Sequence, residues 1–168
     1  MITIDKIENE YQTALQQCSA LVPLTSWAHP PQSVGLTDHK TKYGMATHDG
    51  RVLISKAFLG TNAITKLRNT LRHELAHLAV GLRHGHNRVF KRCAILFNAL
   101  QPVSKAELDA VHNNTTYKWK LIAHFFDGSS KDLGGVHRRS KRFSEYPRNG
   151  RQMLVEGELV AKFEFEPC

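Results

Sequence analysis

Residues 4–21 place Ile4, Ile7, Tyr11, Ala14, Leu15, Cys18 and Leu21 at helical spacing, with Asp5, Lys6, Glu8 and Gln12 on the other side. That pattern predicts an amphipathic helix burying one face. Pro23 and the "HPP" at 29–31 end it and open an extended region. Short strands are predicted at 33–37 and 43–55, the second folded at Asp49-Gly50, a hairpin signal that puts both central residues at positive φ. Thr61 or Asn62 is placed to cap a helix running through Ile64, Leu67, Leu71, Leu75 and Leu78. A further helix is expected from Asn87 to Leu100, stopped by Pro102. Ser104 and Glu107 then form a capping box for one more short helix.

From Tyr117 the period shortens to two. "YKWKLIAHF" alternates Tyr117, Trp119, Leu121, Ala123 and Phe125 on one face, and 136–143 and 158–165 alternate as well, with a turn at Glu156-Gly157. These runs predict a C-terminal antiparallel sheet. The polar "NNTT" at 113–116 marks the boundary, giving an N-terminal unit 1–113 and a β-rich basic unit 114–168 in an α+β chain. No internal repeat or low-complexity segment interrupts this order.

The chain has 168 residues, enough for one ordinary domain with a core and a small appendage. Its longest apolar runs, such as "AILF" at 94–97, are too short to span a bilayer, and the first residues lack a basic-then-apolar leader. A cytoplasmic location, with nucleoid association as a further option and no membrane partner, is the expectation. Cys18, Cys93 and Cys168 are widely spaced and form no CxxC pair, so they are expected as free thiols.

Charge sharpens the picture. The net charge is +8, and it is uneven: 61–101 holds seven Lys/Arg to one acid, whereas 152–168 holds one to four. A basic middle with an acidic tail points to a polyanionic partner, nucleic acid foremost.

The candidate chemistry sits at 73–77, "HELAH". His73 and His77 are four apart on the predicted helix, so both imidazoles project on one side about 6 Å apart, as two ligands of one tetrahedral zinc require. Glu74 lies beside them, placed to act on a metal-bound water. The helix cannot supply a third ligand by continuing, because His84 would lie about 10 Å further along the axis. The chain must fold back, and Gly81 and Gly85 permit it. The residues three and six beyond His77 are Val80 and Arg83, so a metzincin pattern fails. His84 and His86 remain as third ligands.

"HELAH" followed by a short linker and "GHNRVF" resembles the SprT-like metallopeptidases, the group that includes Spartan, and "YGMATHDGRVLISKAFL" resembles the family's strand pair before the metal helix. The similarity covers roughly residues 4–100. It implies a zincin-like core of N-terminal helix, small sheet, HExxH helix and following helix. It implies one zinc ion on His73, His77 and His86, the last chosen because the family's third ligand has an aromatic residue four positions on, here Phe90. Glu74 is then the general base on zinc-bound water. The cysteines of the family's C-terminal zinc ribbon are absent, so a metal-free sheet held by Tyr117, Trp119, Phe125 and Phe143 is expected there.

The resemblance further implies a protease acting on proteins bound or crosslinked to DNA, single-stranded or at junctions. Arg88, Lys91 and Arg92, with Arg138, Arg139, Lys141 and Arg142, are the candidate phosphate contacts, with Phe143 and Tyr146 placed to stack on unpaired bases. Tyr43, His124 and His137 are candidate oxyanion stabilisers. The competing readings are a zinc protease with a soluble or partner-protein substrate, and a DNA-binding adaptor whose zinc is structural.

Overall fold

Thr3 opens the first helix, α1 (Ile4–Leu21): its hydroxyl accepts from the Lys6 N–H. Ile7, Tyr11, Ala14 and Cys18 form the buried stripe. Glu10 is buried beside them because Arg68 reaches it with two N–H groups, at 2.7 and 3.0 Å, and Lys6 adds a third contact. The computed structural model describes residues 1–168. They form a mixed α+β fold of five helices and two small sheets, divided into two compact units, Met1–Thr115 and Thr116–Cys168.

In the first unit, β1 (Ser33–Thr37), β2 (Gly44–Ala46) and β3 (Arg51–Ser55) make a sheet of order β1-β3-β2. β1 runs parallel to β3 and β2 antiparallel to it, which leaves β2 as an edge. The β2–β3 connection corrects the expected two-residue turn. It spans Thr47 to Gly50, the Gly50 N–H donates to the Thr47 carbonyl at 3.0 Å, and only Gly50 takes positive φ, at 84°. A four-residue loop needs one left-handed position, and a side chain there would strike the Pro30 carbonyl.

The metal-motif helix is α2 (Ile64–Val80), with Leu67, Leu71, Leu75 and Leu78 fully buried. Its start differs from expectation, since neither Thr61 nor Asn62 caps it. Glu107, on α4 (Lys105–Asn113), accepts from the Thr65 and Lys66 N–H groups at 3.4 and 2.8 Å. A carboxylate from another helix thus meets the free N–H groups and the positive end of the helix dipole. The Ser104–Glu107 capping box is correspondingly only half made. The Ser104 hydroxyl accepts from the Glu107 N–H, while the carboxylate has gone to α2.

The next helix, α3 (Arg88–Leu96), is shorter than predicted. Asn98 turns left-handed at φ 57°, and the Asn98 and Ala99 N–H groups bond back to Ile95 and Ala94. That is a helix stop in which asparagine takes glycine's usual place.

The second unit is an antiparallel sheet of order β5-β4-β7-β6, from β4 (Trp119–Phe125), β5 (Ser130–Val136), β6 (Leu154–Val155) and β7 (Glu158–Pro167). Glu156 and Gly157, both at positive φ, make the β6–β7 turn. Residues 136–143, expected as a strand, are not one. A turn at Gly128 (φ 88°) pairs β4 with Ser130–Val136 instead, and 141–144 form the short helix α5 (Lys141–Ser144). From α5, Phe143 packs on Phe163 of β7 at 4.8 Å. No helix of the chain is long and apolar enough to cross a membrane.

Candidate metal centre

His73 and His77 project from α2 on the side opposite its leucines, and the helix ends one turn later. Gly81, at φ 102°, donates its N–H to the His77 carbonyl at 2.9 Å. A single 3-10 turn, Leu82–His84, and Gly85 at φ 51° then reverse the chain. The reversal brings back His86, not His84. Its Nε2 lies 3.0 Å from the Nε2 of His73 and 3.2 Å from that of His77, and the ring nitrogens of all three fall within 4.8 Å of one another.

These residues can hold a metal ion. Two nitrogens each about 2.05 Å from a tetrahedral ion lie about 3.3 Å apart, close to the separations seen. The arrangement is a poor hydrogen-bond set, because the one proton or lone pair on His86 Nε2 cannot serve both neighbours. Burial, with neighbouring imidazoles adding to it, pushes His73 and His77 down to about 4, which keeps them in the unprotonated form that binds metal.

Phe90 touches all three imidazoles. It is buried, and its ring stacks on His77 at 4.1 Å and meets His73 and His86 edge-on at 4.8 and 4.9 Å. Asn87 sets it there by accepting from the Val89 and Phe90 N–H groups at the start of α3. The Nδ1 of His84 lies 3.1 Å from the Asn87 amide nitrogen, so His84 braces that cap and stands outside the nitrogen cluster.

Glu74 is 6% exposed and lines the same cleft of about 690 Å³ as the three histidines. Burial pushes its carboxyl up to about 7, against a hydrogen bond from the Ala46 backbone and the charge of Lys42. The wall opposite α2 is β2, through Gly44, Met45 and Ala46. Gly44 is required there: a Cβ would fall 2.7 Å from the Thr70 methyl and 2.9 Å from Glu74 Oε1.

Among the candidate oxyanion stabilisers, Tyr43 lines the cleft, with the Lys66 ammonium 4.6 Å above its ring. His124 and His137 belong to the second unit and are engaged there, with Glu164 at 2.8 Å and the Tyr117 ring at 4.7 Å.

Arg88, Lys91 and Arg92 are exposed on α3 and lack carboxylate partners. Arg138, Arg139, Lys141 and Arg142 are exposed in the second unit. There the Arg139 guanidinium lies over Trp119 at 4.7 Å and that of Arg142 over Phe143 at 5.4 Å. Phe143 and Tyr146, the candidate stacking rings, are half-buried and both meet Phe163 edge-to-face, at 4.8 and 5.0 Å.

Lys66 and Gly44 also line the cleft, and each carries a signal in the sequence. Lys66 precedes Thr70, His73, Glu74 and His77 by 4, 7, 8 and 11 residues, which is one helical stripe. A glycine inside a short strand signals close backbone approach. No protein-family model matches this chain, and comparisons with curated proteins and with solved structures likewise return no match.

Proposed function

We propose that this chain is a zinc-dependent endopeptidase of the SprT-like type, built on a zincin-like core and working on DNA-bound or crosslinked proteins. The observation that carries the reading is the convergence of His73, His77 and His86 on one point, with the buried Glu74 lining the same cleft. Three imidazoles suit zinc and leave a coordination position open. A zinc ion held by them supplies Lewis acidity, which polarises a peptide carbonyl and lowers the pKa of water.

The protein's own groups do the rest. Glu74, whose carboxyl is already a willing proton acceptor near neutral pH, takes the proton of the attacking water and passes it to the leaving amine. β2 is an edge strand along the cleft, so its backbone offers an extended substrate a strand to pair with. The carboxylate favours a catalytic over a purely structural metal, because a closed structural site has no use for a buried acid beside it. DNA association rests on the unpaired cations of α3 and on the basic 138–142 segment.

The deciding experiment measures zinc content, then cleavage of a DNA-bound protein with and without DNA, in the wild type and in Glu74→Gln. Zinc in both proteins with cleavage only in the wild type is the expected outcome. DNA should stimulate that cleavage, and the stimulation should weaken at high salt. Cleavage that ignores DNA would favour the soluble-substrate reading, and equal inactivity of both proteins would overturn the peptidase.

A further inference from the structure

Lys66 lies seven residues before His73 on α2, which places it on the same face about 10 Å along the axis. It lines the same cleft, half-buried, with its ammonium over the Tyr43 ring. It makes no ion pair. The two carboxylates that other helices bring to α2 are engaged elsewhere, Glu10 by Lys6 and Arg68 and Glu107 by the backbone of α2. Burial holds this lysine's pKa below its ordinary value. A desolvated cation without a counter-ion is costly, and one aromatic face offsets only part of that cost.

The rest of the cleft has a direction. Lys42 adds a second positive charge to its wall, and Glu74 is its one acid. Beyond the other end of α2 the lining is apolar, at Leu82. On the rim across from β2, the Asn69 side chain holds Gln101 by two hydrogen bonds, at 2.7 and 3.2 Å, and both groups are neutral. An unpaired cation at one end of a groove otherwise short of acids is a site for an anionic oxygen group.

Building on the peptidase reading above, we propose that Lys66, seated on Tyr43, is a specificity-determining residue that receives a carboxylate of the substrate. Extended chain advances about 3.3 Å per residue, so 10 Å corresponds to about three residues from the scissile bond. The group recognised is the side chain of Asp or Glu at that position, or a free C-terminal carboxylate if the substrate ends there.

The test uses the full chain loaded with zinc and a peptide series in which Glu, Gln or Lys is scanned through three positions on each side of the cleaved bond. Each peptide is made with an amidated and with a free C-terminus, which separates the two sources of carboxylate. One position should favour Glu over Gln by about tenfold in kcat/KM, the size of one charge-assisted hydrogen bond. Lys66→Gln should erase that ratio, Lys66→Arg should retain it, and Lys66→Glu should turn it toward Lys.

Binding of the same peptides to Glu74→Gln, read by fluorescence anisotropy, asks the question without turnover. Discrimination in binding with no cleavage by the wild type would sink the peptidase and keep the subsite. Cleavage with no discrimination, discrimination that survives in Lys66→Gln, or no discrimination in either assay overturns the subsite. So does an outcome in which Lys66→Glu weakens a short single-stranded oligonucleotide and leaves every peptide unaffected, since Lys66 would then serve a nucleic acid.

Discussion

Gly44 on β2 and Glu74 on α2 are packed so closely that a methyl group on Gly44 would come within 2.9 Å of Glu74 Oε1. The strand backbone is therefore part of what holds the carboxyl in place. Gly44→Ala must displace Glu74 or Thr70, whose methyl would lie 2.7 Å away, and neither is one of the three imidazoles. Overpacking of this kind costs about 1–3 kcal/mol. Zinc content should stay near the wild-type value, while kcat falls at least about tenfold, because a small misplacement of a reacting group is enough for that. Paired zinc and kinetic measurements check this, and loss of zinc with retained turnover per bound ion would contradict it.

His86 and His84 are two residues apart and have different work. His86 meets both other imidazoles, whereas His84 braces Asn87. His86→Ala should lose bound zinc and His84→Ala should keep it, with a stability loss of about 1 kcal/mol or less from a weakened helix cap. Metal analysis after dialysis, alongside urea unfolding, separates them. Equal metal content in the two variants would undo the ligand assignment.

Phe90 stacks on one imidazole and abuts the other two. Phe90→Leu keeps the site apolar but removes the flat platform. Zinc affinity should fall about 10- to 100-fold, as it does when groups that orient ligands are removed. Competition with a chromophoric chelator gives the number, and an unchanged affinity would reduce Phe90 to ordinary core packing.

Glu107 closes the N-terminus of the helix that carries the metal motif. Glu107→Ala should destabilise the chain by about 1–2 kcal/mol, while Glu107→Gln, which keeps an acceptor but no charge, should cost less. Thermal or urea unfolding reads both, and identical stabilities would show that solvent satisfies those N–H groups equally well.

Glu74 and the two α2 histidines pull stability in opposite directions with pH. In metal-free protein the folded state keeps the Glu74 proton up to about 7, while the unfolded chain releases it near 4.5. The folded state then binds more protons across that window, and stability falls as pH rises through it. His73 and His77, held at about 4 against an ordinary 6.5, do the reverse and lose stability on acidification. Comparison with Glu74→Gln isolates the carboxyl. The variant should gain about 2–3 kcal/mol over the wild type between pH 4 and pH 8. Urea titrations in chelator measure this, and parallel pH profiles would mean that the carboxyl is not desolvated.

Local patterns were legible where one segment decides its own conformation. The α1 stripe, the Glu156-Gly157 turn and the leucine face of α2 all follow from the spacing of neighbouring residues. The run 136–143 misled because alternation of basic residues mimics a strand, while the β4–β5 turn at Gly128 and the packing of Phe143 on Phe163 decide otherwise. The end of α3 differs from the spacing for a related reason: Asn98 takes the left-handed position, well before Pro102 can act.

His73, Glu74 and His77 were determined by the sequence alone, because a helix turns four residues into one face. The convergence of His86 on them needed two positive-φ glycines and the Phe90 platform, and those are relations between segments. Only the tertiary structure could show that Glu107 caps α2 from another helix, that Gly44 leaves room for Glu74, and that Lys66 stands in the cleft without a counter-ion. Spacing along a chain fixes which side chains share a face, but the neighbour each side chain meets is set by chain reversals that bring distant segments together.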